Sequence, residues 1–166
     1  MEKIKALFLD RDGVINKDPG YVYRIEDFEF MPGIFEALSG FMALGFEIFV
    51  VTNQSGIGRK YYTQADFDNL SYYMISEFKK RGVSIKKIYY CPHTPDDNCS
   101  CRKPKSGMFL QALSEFDIDM KSSIMIGDKK SDIEAANSAG VGRSLLIDGD
   151  KFSSVLDILE CVKGYE

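Results

Sequence analysis

The chain has 166 residues, is 45% hydrophobic and carries a formal net charge of −4, which fits one soluble globular domain over residues 1–166 with length enough for a substantial core. The acidic balance offers no general field for nucleic acid, so any phosphate must be held by local groups. The longest apolar stretch, residues 46–51, is interrupted by Glu47 and far too short to span a bilayer.

Residues 4–9 form a short, mostly apolar run that suits a buried strand. It ends in Asp10-Arg11-Asp12-Gly13. In extended backbone residues i and i+2 point the same way, so Asp10 and Asp12 are expected to project together from the strand's C-terminal edge, where open α/β sheets bind their ligands. Two like charges so close are costly without a cation or a shared proton, which makes a divalent metal the expected companion. The plainer alternative is a strand ending in two solvated acids, with Gly13 turning the chain.

A polar stretch follows over residues 16–29. Helical spacing begins after Met31-Pro32-Gly33 and covers residues 34–44, stopped by Gly45. Residues 46–51 read as a second strand, 63–80 as a long helix ended by Arg81-Gly82, 85–90 as a third strand and 107–116 as a helix. A fourth strand at 123–126, a helix at 131–139 closed by Gly140, a fifth strand at 144–147 and a terminal helix at 152–162 complete the chain. The alternation predicts an α/β fold, a three-layer Rossmann-like parallel sheet with helices on both faces. Between Asp12 and Thr52 a helix and a strand must already fit, so residues 14–30 are a loop too short for a cap domain, and the site is expected to be open.

The polar motifs fall along one rim of such a sheet. Thr52-Asn53-Gln54-Ser55-Gly56 follows the second strand, Arg102-Lys103-Pro104 lies beyond the third, and Gly127-Asp128-Lys129-Lys130-Ser131-Asp132 follows the fourth. Phosphoryl transfer needs a nucleophile, an acid for the leaving oxygen, a cation, and donors for the equatorial oxygens; each need has a candidate here. Taken singly, the second motif is an ordinary polar turn and the last an ordinary capped helix entry. A C-x5-R signature and a G-x4-G-K-[ST] loop are absent, and the chain has a single histidine, which disfavours cysteine- and histidine-based catalysis.

That histidine lies in a second cluster. Cys91-Pro92-His93 is followed, five residues on, by Cys99-Ser100-Cys101, three thiolates and an imidazole that would close a tetrahedral Zn2+ shell. Buried or redox-active thiols are the competing reading. With four protein ligands and no open position the zinc role is structural, a staple on loop 91–101 that aims Arg102 and Lys103. Cys161, in the terminal helix, reads as a small core residue.

In this order, each after a strand, the motifs from Asp10 to Asp132 resemble those of the haloacid dehalogenase superfamily of aspartate-nucleophile phosphatases. The resemblance implies that Asp10 attacks phosphorus to form an aspartyl-phosphate, while Asp12 protonates the leaving alcohol and later deprotonates the hydrolytic water. It implies Mg2+ between Asp10, the backbone carbonyl of Asp12, and Asp128. Thr52 and Asn53 would hold the phosphoryl oxygens and Lys103 would offset charge on the phosphoryl group and nucleophile. The zinc loop is similar to two bacterial groups, the D-glycero-D-manno-heptose 1,7-bisphosphate phosphatases and the histidinol-phosphate phosphatases. DRDGVINKDPGYV, TNQSGIGR and CRKPKSGM look like the heptose enzymes, whereas the short spacing between His93 and Cys99 is like that of the histidinol enzymes.

The heptose resemblance implies removal of the C7 phosphate from a small-molecule sugar bisphosphate, leaving heptose 1-phosphate, a step toward the nucleotide-activated heptose of lipopolysaccharide. The substrate would be contacted by Asp18, Pro19, Gly20 and Tyr21, by Gln54 and Ser55 beside Thr52 and Asn53, and by Arg102, Lys103 and Lys129. Tyr21 and Tyr23 packing the loop, and Arg59 and Lys60 as a solvated helix lead-in, are the plainer readings of those residues, and Asp132 is expected to orient the site from behind. The N-terminus lacks a signal-peptide pattern, so a cytoplasmic protein is expected, as a monomer without nucleic-acid or membrane partners. Histidinol-phosphate phosphatase activity and a non-catalytic sugar-phosphate-binding module are the alternatives.

Overall fold

Side chains alternate along the first strand, β1 (Lys5–Leu9), so that Leu7 and Leu9 enter one half of the core and Ala6 and Phe8 the other, all four fully buried. Burial on both faces is the signature of a central parallel strand. β1 pairs in parallel with β2 (Phe46–Asn53) and β4 (Ile124–Gly127). With β3 (Ile85–Cys91) and β5 (Arg143–Leu146) they make a parallel sheet of order β3-β2-β1-β4-β5. The computed structural model describes residues 2–164.

On the Leu7 face lie α1 (Ile34–Ala43), α3 (Gln64–Lys80) and α6 (Val155–Lys163); on the Phe8 face lie α4 (Gly107–Glu115) and α5 (Lys130–Ser138). α3 starts where a reciprocal cap allows it. Thr63 Oγ1 accepts from the Asp66 N–H at 3.1 Å, and Asp66 Oδ2 accepts from the Thr63 N–H at 2.9 Å. Leu70, Met74 and Phe78 then recur every fourth residue on the buried side, each contributing roughly 1.5–3 kcal/mol by burial. α6 begins at Val155 rather than 152, because Ser154 caps it by accepting from the Asp157 N–H.

Two strands run further than the apolar pattern indicates. β2 extends through Thr52 and Asn53, which pair with Tyr90 and Cys91 of β3, so the start of the T-N-Q-S-G motif is strand rather than turn. After it comes an unexpected short helix, α2 (Ser55–Gly58). The sheet order changes direction at β1: the chain proceeds outward to β2 and β3, then crosses to β4 and β5. Ligands of open α/β sheets bind outside the strand ends at such a switch point. The connection from β1 to α1 carries a single 3-10 turn, Ile25–Asp27, among its described residues, and no described helix is long and apolar enough to cross a membrane.

Candidate active site

Asp10 is the first residue beyond β1, tied to its neighbour by an N–H donated to the Ile126 carbonyl of β4 at 3.1 Å. Its Oδ1 accepts from the Arg11 N–H at 2.9 Å and from Lys103 Nζ at 3.0 Å. Lys103 is buried, and its ammonium also donates to the Val51 carbonyl at 2.8 Å and to Asp132 Oδ1 at 2.6 Å. Three acceptors for three N–H groups leave this lysine fixed. Burial opposes the Lys103 charge, but Asp10 and Asp132 together hold its pKa above the ordinary lysine value.

The acids outnumber that lysine. Asp10, Asp128 and Asp132 offer carboxylate oxygens within 4.8 Å of one another. Asp132 is fully engaged, because its second oxygen accepts from the N–H groups of Asp128 and Lys129, each at 3.1 Å. Asp128 Oδ1, by contrast, is buried without a hydrogen-bond partner, an uncommon and costly state for a carboxylate oxygen. Burial, with help from Asp132, Asp12 and Asp128 and against Lys103, pushes Asp10 up to about 7; burial and Asp132 likewise raise Asp128. Surplus carboxylate charge and an orphaned oxygen are what a bound divalent cation would relieve. Gly13 makes the close approach possible: at φ +88° it has no Cβ, and one placed there would lie 2.0 Å from Asp128 Oδ2.

Asp12 sits in a ring of donors. Its Oδ1 accepts from Arg11 Nε and Nη2 at 3.1 and 2.9 Å and from Asn16 Nδ2 at 3.0 Å; its Oδ2 accepts from Gln54 Nε2 at 3.0 Å. Arg11 is 2% exposed and also donates to the Val22 carbonyl at 2.8 Å, fastening the loop over the sheet edge. Asn53 and Lys103 exchange hydrogen bonds: the Lys103 N–H donates to Asn53 Oδ1 at 3.0 Å, and Asn53 Nδ2 donates to the Lys103 carbonyl at 3.2 Å. That exchange joins β2 to the loop that follows the cysteine cluster.

These groups open into a cleft of about 580 Å³. Asp10, Asp12, Asn53, Gln54, Ser55, Lys103 and Lys129 line it, and Asp18, Gly20, Tyr21 and Arg102 reach it from two loops. Asp18 shapes the first loop by accepting from the Gly20 N–H at 3.0 Å. Arg102 Nη1 is buried without a partner, a donor suited to an anion.

The second cluster is assembled as well. Cys91 Sγ lies 3.4 Å from His93 Nδ1, 3.5 Å from Cys99 Sγ and 2.9 Å from Cys101 Sγ, and His93 Nδ1 lies 3.3 Å from Cys101 Sγ. These spacings approach the edge of ~3.8 Å that a tetrahedron with ~2.3 Å metal–sulfur bonds requires. All the cysteines are free thiols. Burial drives the Cys91 thiol far upward, whereas at Cys99 the N–H groups of Arg102 and Cys101 and the Cys91 thiol outweigh burial and bring it down to about 6.

A HAD-hydrolase-like family model matches residues 100–156. A D-glycero-alpha-D-manno-heptose-1,7-bisphosphate 7-phosphatase of Campylobacter jejuni is 55% identical over 149 residues, 90% of this chain and 86% of the relative. A D-glycero-beta-D-manno-heptose-1,7-bisphosphate 7-phosphatase of Helicobacter pylori is 51% identical over 148 residues, 89% and 86% of the two chains. The chain belongs to the heptose-1,7-bisphosphate 7-phosphatase family. A crystal structure of D,D-heptose 1,7-bisphosphate phosphatase from B. bronchiseptica, complexed with magnesium and phosphate, superposes with a TM-score of 0.89 at 27% identity, covering 98% of this chain and 100% of that one.

Within this heptose-phosphatase fold most of the residues singled out from the motifs come together. Pro19, Thr52 and Asp128 do not themselves line the cleft: Pro19 is exposed in the loop turn, Thr52 is buried behind Gln54, and Asp128 lies beneath Gly13. Arg59, set aside in the sequence as a solvated lead-in, lines the cleft, as do Tyr62 and Ser131. Tyr21 contributes to the cleft while packing edge-on against Tyr61, and Tyr23 stacks on Tyr62. Arg11 was missed altogether; its position between two acids in D-R-D was the one available signal that a cation is needed there.

Proposed function

We propose that the protein is a Mg2+-dependent phosphatase that removes the C7 phosphate of D-glycero-D-manno-heptose 1,7-bisphosphate. The observation that carries this reading is Asp10, bonded to the buried Lys103 ammonium at the floor of a polar cleft with Asp12 beside it. Asp10, Asp128 and the backbone carbonyl of Asp12 would hold Mg2+; once bound, the ion would offset the surplus carboxylate charge and that of the phosphoryl group. Asp132 is left out of that shell because both its oxygens are engaged.

An Asp10 oxygen bonds to phosphorus as the bond from phosphorus to the C7 oxygen breaks, and Asp12 delivers a proton to that departing oxygen. Water then attacks the aspartyl-phosphate, gives its proton to Asp12, and inorganic phosphate leaves as Asp10 is regenerated. Lys103 balances charge on Asp10 and the transferring group throughout. Asn53 supports the phosphoryl oxygens, with Thr52 behind the cleft wall bonded to the Gln54 amide, and Arg102, with its unpartnered buried Nη1, meets the substrate, its planar fork matching a phosphate. Asp18, Gly20 and Tyr21, with Gln54, Ser55 and Lys129, surround the sugar, and Pro19 shapes the loop turn outside the cleft. Cys91, His93, Cys99 and Cys101 would hold a structural Zn2+ that fixes the loop carrying Arg102 and Lys103. The whole chain acts as one domain and as a monomer on a small molecule in the cytoplasm, supplying heptose for lipopolysaccharide.

The test is phosphate release by the purified protein with Mg2+, comparing kcat/KM for the α and β anomers of the bisphosphate and for histidinol phosphate. A preference of at least tenfold for a heptose anomer is expected, about 1.4 kcal/mol of transition-state discrimination. Preference for histidinol phosphate, toward which the short His93-to-Cys99 spacing leans, would overturn the substrate assignment.

A further inference from the structure

A buried primary amide has two chemically different ends of nearly equal shape, so something must decide which way it faces. For Gln54, 2% exposed, the consequence is direct. Its Nε2 donates to Asp12 Oδ2 and to Thr52 Oγ1, each at 3.0 Å, and its Oε1 accepts from the Tyr62 hydroxyl. Turned over, the amide would set a carbonyl oxygen against the Asp12 carboxylate.

Tyr62 is built to prevent that. Its ring stacks on Tyr23 with centroids 5.2 Å apart and planes 11° apart. On its other contacts the ring is so close to Gly56 that a Cβ there would fall 2.0 Å from it. The phenol is 5% exposed, and burial raises it to about 12, so it stays a donor at neutral pH. Arg11 and Asn16 secure the other Asp12 oxygen; Oδ2 is shared between a longer 3.2 Å bond from Arg11 Nη2 and the 3.0 Å bond from Gln54, so the amide is the closer of the two donors that set the carboxylate's orientation about that anchor.

We propose that Tyr62 is a positioning residue for the reaction: acting through the Gln54 amide, it holds Asp12 where that acid can pass its proton to the leaving oxygen. The proposal rests on the phosphatase reading above. Its chemistry is a single proton transfer, from the Asp12 carboxyl to the oxygen released from phosphorus. A sugar alkoxide needs that proton as it departs, whereas a nitrophenolate is stable enough to leave without it. Disturbing Asp12 therefore penalises one ester and spares the other, whereas a general loosening of the site penalises both.

The experiment is Tyr62→Phe, which keeps the ring, its stacking and its contact with Gly56, assayed with Mg2+ on heptose 1,7-bisphosphate and on p-nitrophenyl phosphate. The expected result is a kcat on the sugar ester lowered about tenfold or more, part of the ~10²–10⁴-fold that general acid catalysis supplies. KM and turnover of the nitrophenyl ester should stay within about twofold. In a Gln54→Ala background Tyr62→Phe should have no further effect on the sugar ester. Equal losses on the two esters, a change in KM alone, no change at all, or an undiminished Tyr62→Phe effect without Gln54 would each overturn the proposal. Failure of the phosphatase reading looks different: the unmodified protein would then release phosphate from neither ester, and the positioning role would fall with it.

Discussion

The carboxylate centre and the thiol cluster meet at Lys103, two residues after Cys101, yet they are held by different means. The centre is drawn from the ends of β1, β2 and β4 and closed by hydrogen bonds with ordinary donors and acceptors: Lys103 has three acceptors, and both oxygens of Asp132 are taken. Sheet register places it. In the cluster only Cys91 belongs to a strand; His93, Cys99 and Cys101 sit on irregular chain around a 3-10 turn at Pro95–Asp97. Their mutual contacts are sulfur and imidazole contacts, weak as hydrogen bonds, so the cluster would depend on the proposed Zn2+ cross-link where the centre does not. Because Arg102 and Lys103 follow Cys101 directly, the dependent region supplies two side chains to the independent one.

The largest effect should come from the centre itself. Asp10→Asn is expected to lower phosphate release by at least ~10⁴-fold, because an amide cannot form the covalent intermediate; bound zinc, measured by metal analysis, should be unchanged. The substitution should not cost stability in the absence of Mg2+. Asp10 titrates near 7 in the folded protein against 3.8 as its reference, so the native state binds more protons between those values, and this group's contribution to stability falls as pH rises from about 4 to about 7. Thermal unfolding of the metal-free protein should show that fall, and either Asp10→Asn or saturating Mg2+ should flatten it. A metal-free Tm that instead rises over this window would contradict the charge balance described for the site.

A smaller effect is expected from the dependent region. Removing zinc with a chelator in excess Mg2+, or replacing Cys99 with Ser, should lower activity about tenfold while far-UV circular dichroism retains the signal of the sheet and helices. The reciprocal Asn53–Lys103 hydrogen bonds and the ion pairs of Lys103 limit how far the loop can drift. Unchanged activity after complete zinc loss would mean that those bonds alone hold Lys103, and the two regions would then be uncoupled.

How much of each region could be read from the chain follows the same division. The strand positions and the acids at their ends were legible because period-two burial and D-x-D spacing are local signals. The convergence of Cys91, His93, Cys99 and Cys101 was legible because side chains able to ligate a metal are chemically rare and here close in sequence. What the sequence hid depends on contacts across the fold. Gln54 meets Asp12 over forty-two positions, and the meeting of Lys103 with Asp10 over ninety-three was implied by the family resemblance and not by any local pattern. The burial of Arg11 depends on Val22 arriving over it, and nothing in the local pattern of Tyr61-Tyr62 tells which ring turns inward. α2 has glycine at two of its four positions, so intrinsic propensity argues against it; the hydrogen bond from the Gly58 N–H to the Pro92 carbonyl, 2.9 Å, shows tertiary contact overriding that preference.

The smallest effect belongs to the rim, which neither register nor a cross-link fixes. Arg59 lines the cleft, is exposed, and hydrogen-bonds through Nε to Ser55 Oγ at 3.3 Å. A guanidinium there attracts a doubly phosphorylated ligand, but solvent and salt screen an exposed charge, so its worth is limited to about 0.2–1 kcal/mol. Arg59→Ala should therefore raise KM roughly two- to fivefold and leave kcat unchanged, with the difference shrinking as ionic strength increases. Arg59→Lys should recover most of the affinity, since a screened point charge asks little of geometry. If Lys fails where Arg succeeds, the guanidinium is engaged in paired hydrogen bonds to phosphate, and the rim is then as ordered as the floor of the cleft once substrate is bound.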